Sequence, residues 1–351
     1  MNQASSLTKI CAADLQTIGG NYPIIDVRTP KEFEHGHIPG AYSIPLFSNE
    51  ERVDIGTTYV QEGKEPAMRL GLKIIGPQMD SLIAQVKELE AKTKSTTFVV
   101  HCWRGGMRSS SFSWLLQFFK YNAYLLEGGY KSYRAHARNS FAQPRNIIIL
   151  GGPTGSEKTD LLHMLNDEGN AIVDLEGLAH HKGSVFGALG QQEQPTQEQF
   201  ENNLAQELLH VSPETPLWIE DESRRVGDLF IPDELWNQMR AAPVITIAMP
   251  REQRIANLCD QYGSFAPAEL INCVTRIYNH LGSERANKII ELIKTQKIAE
   301  ACGELLHHYD KAYQFGLAKR PTANIVSCQI TSNTDAIVRL NRAYRTLCSL
   351  P

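Results

Sequence analysis

Long apolar runs are missing from this 351-residue chain: none approaches the ~20 residues that a helix needs to cross a bilayer, so no membrane segment is expected. The N-terminal stretch MNQASSLTKICAADL lacks the basic start, apolar run and small-residue cleavage site of a secretory signal. Cysteine is scarce and scattered. The seven cysteines, at 11, 102, 259, 273, 302, 328 and 348, are odd in number and widely spaced, with no CxxC pair. That argues against a disulfide framework and a structural zinc site, and a cytoplasmic protein is expected. There is no internal repeat. Strong excess charge is absent as well: a net charge of −4 excludes a uniformly basic nucleic-acid coat, though not a local basic patch. What remains is an ordinary globular composition, 42% apolar and 21% charged. At ~150 residues per domain this length accommodates about two cores.

Charge is unevenly distributed. Residues 1–140 carry 16 Lys and Arg against 13 Asp and Glu, a net +3, and the remainder of the chain is −7. Within 101–138, Arg104, Arg108, Lys120, Lys131, Arg134 and Arg138 face a single acid, Glu127. A solvated helix face would account for such a run, but this one surrounds a cysteine.

The first 138 residues alternate short β-branched strands with helices. Strands are expected at 22–27, 42–45, 97–101 and 123–126, and helices from 30, over 81–92 and over 108–120. Alternation of this kind specifies a parallel sheet covered on both faces. Trp114, with Phe112, Leu115, Phe118 and Phe119 around it, is expected in the core. The pattern breaks at RNSFAQPR, placing a linker at 139–145. A second α/β domain then spans 146–351, with strands at 146–150, 171–175, 217–220, 244–248 and 324–330, a largely helical stretch from 251 to 313, and a closing helix at 335–347.

His101-Cys102-Trp103-Arg104-Gly105-Gly106-Met107-Arg108 lies between a strand and a helix. Glycines at 105 and 106 let the loop curl, since glycine accepts positive φ. A curled loop turns backbone N–H groups inward as an anion nest, and the following helix adds its positive end. With the charges of Arg104 and Arg108, this environment lowers a thiol pKa and suits a thiolate or a persulfide-type anion. A merely structural cysteine fits this setting less well. Upstream, Asp26-Val27-Arg28, Glu32-Phe33 and His35-Gly36-His37-Ile38-Pro39-Gly40-Ala41 complete a second signature. The segment resembles the rhodanese family. The resemblance implies Cys102 as the sulfur- or selenium-carrying nucleophile, a structural role for Asp26 and Arg28, and no metal at His35 or His37.

Gly151-Gly152-Pro153-Thr154-Gly155-Ser156-Glu157-Lys158-Thr159 follows a buried strand and opens a helix, the setting of a phosphate-binding loop. Gly152, Thr154, Gly155 and Ser156 would cradle phosphate through backbone N–H groups, Lys158 would neutralise it, and Thr159 can hold Mg²⁺. Glu157 occupies the position at which the pattern G-x-x-x-x-G-K-[ST] has glycine. Two like unit charges ~5 Å apart repel by ~3 kcal/mol at an effective dielectric of 20, so a carboxylate aimed at the phosphates weakens binding. A side chain there also strains a backbone position normally given to glycine. Glu220-Asp221-Glu222 ends a buried strand, and Asp221 with Arg224 and Arg225 is expected to form a second phosphate or Mg²⁺ element. Asp174 and Glu176 end another strand. His180 and His181 are adjacent, face different ways on any regular element, and are assigned no metal.

The two halves together are similar to the tRNA 2-selenouridine synthase family, an α/β architecture of a rhodanese-like domain followed by a P-loop domain. The carriers are Cys102–Ser109, Leu126–Lys131, Asp174–Ala179, Gly183-Ser184 before Phe186-Gly187, and Glu220–Gly227. The resemblance implies replacement of sulfur by selenium at position 2 of the wobble 2-thiouridine of tRNA, through an S-geranyl intermediate. Geranyl diphosphate and selenophosphate are the implied co-substrates, selenophosphate synthetase an implied partner, and no cofactor or metal is expected to be tightly bound. Trp103 is the expected stacking residue for RNA, with Lys131, Arg134 and Arg138 tracking phosphates. A plain rhodanese-type sulfurtransferase carrying a kinase-like or inactive RNA-binding P-loop domain is the alternative.

Overall fold

The computed structural model describes residues 7–18, 21–321, 324–330 and 335–348. The chain forms two compact units, Met1–Ser140 with Glu201–His210, and Phe141–Phe200 with Val211–Pro351.

In the first unit the elements run β1 (Thr8–Ile10), α1 (Leu15–Ile18), β2 (Ile24–Asp26), α2 (Pro30–His35), β3 (Tyr42–Ser43), α3 (Asn49–Glu62), α4 (Lys64–Ile75), α5 (Met79–Thr93), β4 (Thr97–His101), α6 (Met107–Phe118), β5 (Asn122–Leu126) and α7 (Gly129–Ser140). The strands form a parallel five-stranded sheet in the order β1-β5-β4-β2-β3. β4 is central and buried, which its run Phe98-Val99-Val100 requires. Ile25, Val27, Phe98, Val100, Phe112 and Leu116 are among the side chains of the core on one face. β2 starts at Ile24 rather than at Tyr22, because Pro23 has no N–H to give a ladder. Thr29 and Glu32 cap α2 reciprocally, with Pro30 in its first turn, and Ser48 and Glu51 do the same for α3.

α6 corrects the placement of Trp114. Its buried side is Ser109, Phe112, Ser113 and Leu116, so Trp114 and Phe118, one turn apart, project outward and are 56% and 71% exposed.

The second unit holds β6 (Ile147–Gly151), α8 (Lys158–Asp167), β7 (Ala171–Val173), α9 (Leu175–Ala179), most of the first turn of α10 (Gln197–His210), β8 (Leu217–Glu220), β9 (Arg225–Val226), β10 (Leu229–Phe230), α11 (Asp233–Ala241), β11 (Val244–Ala248), α12 (Arg251–Tyr262), α13 (Pro267–Arg276), α14 (Tyr278–Leu281), α15 (Ser283–Lys294), α16 (Ile298–Leu317), β12 (Ile325–Gln329) and α17 (Ala336–Cys348). A second parallel sheet has the order β12-β11-β6-β8-β7, and β9 and β10 make a small antiparallel ribbon. β7 stops at Val173 because the Asp174 side chain accepts the Gly177 N–H and caps α9. Helices α12, α13, α15 and α16 carry an apolar cluster of their own, including Leu258, Leu270, Ile289 and Leu306.

The units differ from a simple division at a linker. α7 continues to Ser140, and residues 201–210 pack with the first unit. Buried Asn202 donates to the His37 carbonyl (2.8 Å) and to the Tyr130 hydroxyl (2.7 Å), and Arg134 pairs with Glu201 at 2.6 Å. These polar bonds hold that helical segment on α7.

Candidate functional site

The cysteine loop leaves the carboxyl end of the central strand β4, where ligands of parallel α/β sheets collect. Gly105 sits at φ +64, and a Cβ there would meet the Leu126 carbonyl oxygen at 2.7 Å. Gly129, at φ +60, is tighter: a Cβ would lie 2.3 Å from the Cys102 carbonyl oxygen. Two backbone segments therefore press together with no room for side chains. The first turn of α7 completes the junction, with the N–H groups of Tyr130 and Lys131 donating to the carbonyls of Cys102 (2.8 Å) and Trp103 (3.0 Å). Gly106 has φ −96 and open space at its Cβ position, so the curl depends on Gly105 rather than on both glycines.

Cys102 is buried, with its Sγ 3.2 Å from the Ser109 hydroxyl. Burial opposes ionisation of this thiol. Hydrogen bonds from the Ser109 hydroxyl, the backbone N–H groups of Ser109 and Arg104, and the Arg108 charge outweigh it and hold the pKa below the ordinary thiol value. Arg104 thus contributes through its backbone, and its side chain is exposed. Arg108 is itself clamped by Glu32, at 2.7 and 3.2 Å. Behind the loop, Asp26 and Arg28 form a fully buried ion pair at 2.6 Å, and Arg28 also donates to the Gly36 carbonyl and lies 3.8 Å above the Tyr130 ring. Their role is to hold the floor of the site. His37 stacks on Phe33, with ring centroids 3.9 Å apart, which is a packing role.

Trp103 and Met107 are exposed at the rim, and Trp103 leans on Tyr130. Lys131 and Arg138 are exposed on α7. Arg134, expected beside them, is instead committed to Glu201 and to the Asn202 side chain.

In the second unit the phosphate loop links β6, the central strand, to α8. Gly155 has φ +82, and a Cβ there would meet the Arg254 carbonyl oxygen at 2.8 Å. Residues of α12 hold the loop from outside: Arg254 donates to the Thr154 carbonyl (3.2 Å) and Asn257 to the Gly155 carbonyl (2.9 Å). Arg254 is buried and anchored by both carboxylate oxygens of Asp310, at 2.7 and 2.8 Å. A Cβ built at Gly152 would clash with the buried Ser156 hydroxyl at 2.6 Å and touch the Lys158 stem at 3.5 Å. Glu157 occupies a left-handed conformation, φ 55 and ψ 38. Burial and the nearby carboxylates of Asp160 and Asp260 raise its pKa.

Thr159, at the start of α8, touches two acids: its hydroxyl is 2.6 Å from Glu220 and 3.0 Å from Glu176. A hydroxyl donates one proton, so one of the two carboxyl groups must carry a proton for both contacts to be hydrogen bonds. Glu220 is the candidate: burial and the charges of Glu176 and Asp174 push its pKa up to about 8. Burial and Glu176 also raise the pKa of Glu222. Asp221 is not part of this group. Its carboxylate is taken by the buried Arg320 at 2.6 Å, while Arg224 pairs with Asp233 and Arg225 with Asp228. The expected grouping of Asp221, Arg224 and Arg225 is therefore replaced by Glu176 and Glu220 beside Thr159. The alternation of β8 explains this, since Glu220 and Asp221 point to opposite sides. Among the described residues, no group of three or more His, Cys, Asp or Glu side chains is arranged to hold a metal ion.

Comparison with known proteins agrees with this two-part architecture. A family profile described as "tRNA 2-selenouridine synthase AAA domain" matches residues 145–342, more than half of the chain, and one described as "Rhodanese-like domain" matches residues 12–136. The chain is 33% identical over 330 residues to the tRNA 2-selenouridine synthase of Psychromonas ingrahamii, covering 85% of this chain and 88% of that protein. The chain belongs to the tRNA 2-selenouridine synthase family. The Proteus mirabilis family member is likewise 33% identical, over 85% of this chain and 90% of its own length. The match to the Nitrosomonas europaea member is 35% over 246 residues and spans 63% of that relative, less than two thirds of it.

One feature of this family member has no counterpart in the sequence reading. An apolar pocket adjoins the phosphate loop, with Thr154 at its edge and walls that include Phe186, Leu258, Tyr262, Leu270 and Leu305. The walls are apolar faces of α12, α13, α15 and α16 together with Phe186 from the loop after α9, and periodicity could mark each helix face as apolar but not their convergence on a loop about a hundred residues upstream. Arg254, Asn257 and Asp310 were missed for the same reason. Among the described residues, no helix is long and apolar enough to cross a membrane.

Proposed function

We propose that this protein converts the wobble 2-thiouridine of tRNA to 2-selenouridine in two steps, geranylation followed by selenation. The observation that carries the reading is the junction at Thr154, where a phosphate loop opens onto an apolar pocket. A ligand fitting both parts has a diphosphate head and a hydrocarbon tail, as geranyl diphosphate does. In the first step the base sulfur attacks C1 of the donor, the carbon–oxygen bond breaks, diphosphate departs, and the base loses its N3 proton. Backbone N–H groups of the loop and Lys158 would receive the charge that develops on the leaving diphosphate. Mg²⁺ keeps several waters and takes few protein oxygens, so Thr159 with a neighbouring glutamate would suffice to hold it on the diphosphate.

In the second step the selenium of selenophosphate attacks C2 of the base and the carbon–sulfur bond breaks, water then cleaves the selenium–phosphorus bond to release phosphate, and the protons of that water end on the departing geranyl thiol and on N3 of the base. Alkylation makes this exchange feasible, because a thiol leaves far more readily than a sulfide. The loop of Cys102 is suited to the selenium: its polarised thiol and inward N–H groups favour a chalcogen anion. Trp103, Lys131 and Arg138 are the exposed stacking and basic groups available to RNA, and selenophosphate synthetase is the source of the donor in this reading.

Mass spectrometry of nucleosides tests it. Thiolated tRNA incubated with geranyl diphosphate and selenophosphate should yield 2-selenouridine. Cys102→Ser should accumulate S-geranyl-2-thiouridine, and Lys158→Ala should leave 2-thiouridine unchanged. Sulfur transfer from thiosulfate to a small acceptor, with tRNA untouched, would support the sulfurtransferase alternative instead.

A further inference from the structure

α16 contributes Ile298, Ala301, Cys302, Leu305 and Tyr309 to the apolar pocket, the spacing of a single helix face. The Tyr309 end lies at the phosphate loop, because the next residue, Asp310, anchors the Arg254 that donates to the Thr154 carbonyl. The Ile298 end is the first turn of α16, and Ile293 from the end of α15 also lines the pocket. Eleven residues separate Tyr309 from Ile298, ~16 Å at 1.5 Å per residue. The pocket wall thus runs from the phosphate loop to the α15–α16 turn.

An extended hydrocarbon built from ~1.5 Å bonds advances ~1.25 Å per bond, so two isoprene units reach ~9 Å and three reach ~14 Å. Measured from Tyr309, Ala301 stands at ~12 Å, beyond the end of a two-unit chain and before the end of a three-unit chain. It is also the smallest side chain of the α16 stripe.

We infer that the α16 stripe is a chain-length gauge for the isoprenoid diphosphate, and that Ala301 is the residue that sets it. Its methyl group leaves a passage toward Ile298, which closes the pocket. The inference rests on the functional reading above, because it takes the pocket's occupant to be a prenyl chain. A larger side chain at 301 then excludes a third isoprene unit first, and a smaller one at 298 admits longer chains.

The test compares geranyl and farnesyl diphosphates on the full-length protein, both by titration calorimetry and by transfer to thiolated tRNA. Ala301→Phe should lower the farnesyl-to-geranyl ratio of affinities, and of kcat/KM, at least tenfold. Ile298→Ala should raise the same ratio severalfold, and because it removes bulk it remains informative if Ala301→Phe packs poorly. Inorganic pyrophosphate, which has no tail, should bind all three proteins alike. Ratios unchanged in both variants would overturn the gauge. Prenyl diphosphates that bind with the expected ratios but are never transferred would leave the gauge standing and defeat the functional reading. Prenyl diphosphates that bind no better than pyrophosphate would overturn the gauge.

Discussion

Glu157 is the most informative residue to change, because two physical arguments about it can be separated. The residue sits at φ 55 in the phosphate loop, where a Cβ costs ~1–2 kcal/mol relative to glycine. Glycine at the same place lends the unfolded chain extra freedom, a cost of ~0.4–1 kcal/mol. Glu157→Gly should therefore gain a net ~0.5–1 kcal/mol from the backbone. The second argument is electrostatic. A carboxylate ~7 Å from a bound phosphate charge repels it by ~2.4 kcal/mol at an effective dielectric of 20. Glu157 is partly exposed, and a Debye length of ~8 Å at physiological salt screens this to about 1 kcal/mol, roughly a fivefold effect on affinity.

Three proteins separate the terms. Glu157→Gln keeps the Cβ and loses the charge, so it should tighten pyrophosphate binding about fivefold with little change in folding stability. Glu157→Gly should show the same gain in affinity and, in urea unfolding, added stability as well. Calorimetric titration at 50 mM and 500 mM salt is the deciding assay, since a charge effect shrinks with salt and a backbone effect does not. If Glu157→Gln binds pyrophosphate no better than the native protein at low salt, the carboxylate does not face the anion and the electrostatic argument is refuted. If Glu157→Gly is no more stable, so is the strain argument.

Further tests bear on the rest of the site. Ser109→Ala removes the hydroxyl beside Cys102, so the thiol pKa should rise and the pH profile of iodoacetamide labelling should move upward; an unchanged profile would assign the lowering to the backbone N–H groups and Arg108 alone. Glu220 has a folded pKa of about 8 against an ordinary 4.5, so the native state holds a proton that the unfolded state gives up across that interval. Stability should accordingly fall as pH rises from about 4.5 to 8, and Glu220→Gln should flatten that slope in thermal melts. Lys131→Glu should weaken tRNA binding and reduce the salt dependence by about one charge, as read in filter-binding series. Arg134→Glu should behave differently, costing about 2 kcal/mol of stability by breaking the bonds to the Glu201 carboxylate and to the Asn202 side-chain oxygen, which chemical denaturation will show.

The parts of this protein that were legible in the sequence are those whose constraint is local. Buried strands are marked by runs such as Phe98-Val99-Val100 and Ile147–Leu150, and both parallel sheets follow from them. The cysteine and phosphate loops are marked by glycines that geometry demands, at 105, 129 and 155. Residues set by a partner distant in sequence were not legible. Trp114 sits among apolar neighbours in the chain, yet only the burial of Phe112 and Leu116 decides which way it turns. Arg134 reads as a free cation until Glu201 is placed beside it. Asp221 was the plausible acid at the phosphate loop until Arg320, far along the chain, took it and left Glu220 for Thr159.

Glu157 shows the two kinds of constraint acting on one residue. Local rules place a glycine there, and the protein has a glutamate in a left-handed conformation instead. A sparsely populated backbone conformation persists only where surrounding structure over-determines it. Here that structure is α12 and α16: Asp310 orients Arg254, Arg254 and Asn257 hold the carbonyls of Thr154 and Gly155, and the loop keeps its curl from outside. The same two helices form much of the wall of the apolar pocket. Packing that closes the pocket therefore also holds the phosphate loop. Filling the pocket with a hydrocarbon tail stabilises the helices that position the loop, so tail and head are expected to bind with more affinity joined than the two parts display separately. Asp310→Asn weakens the clamp while leaving the pocket lining untouched. It should lower affinity for pyrophosphate and erode that advantage of the joined ligand, whereas an equal proportional loss for pyrophosphate and geranyl diphosphate would show that the two halves of the site act independently.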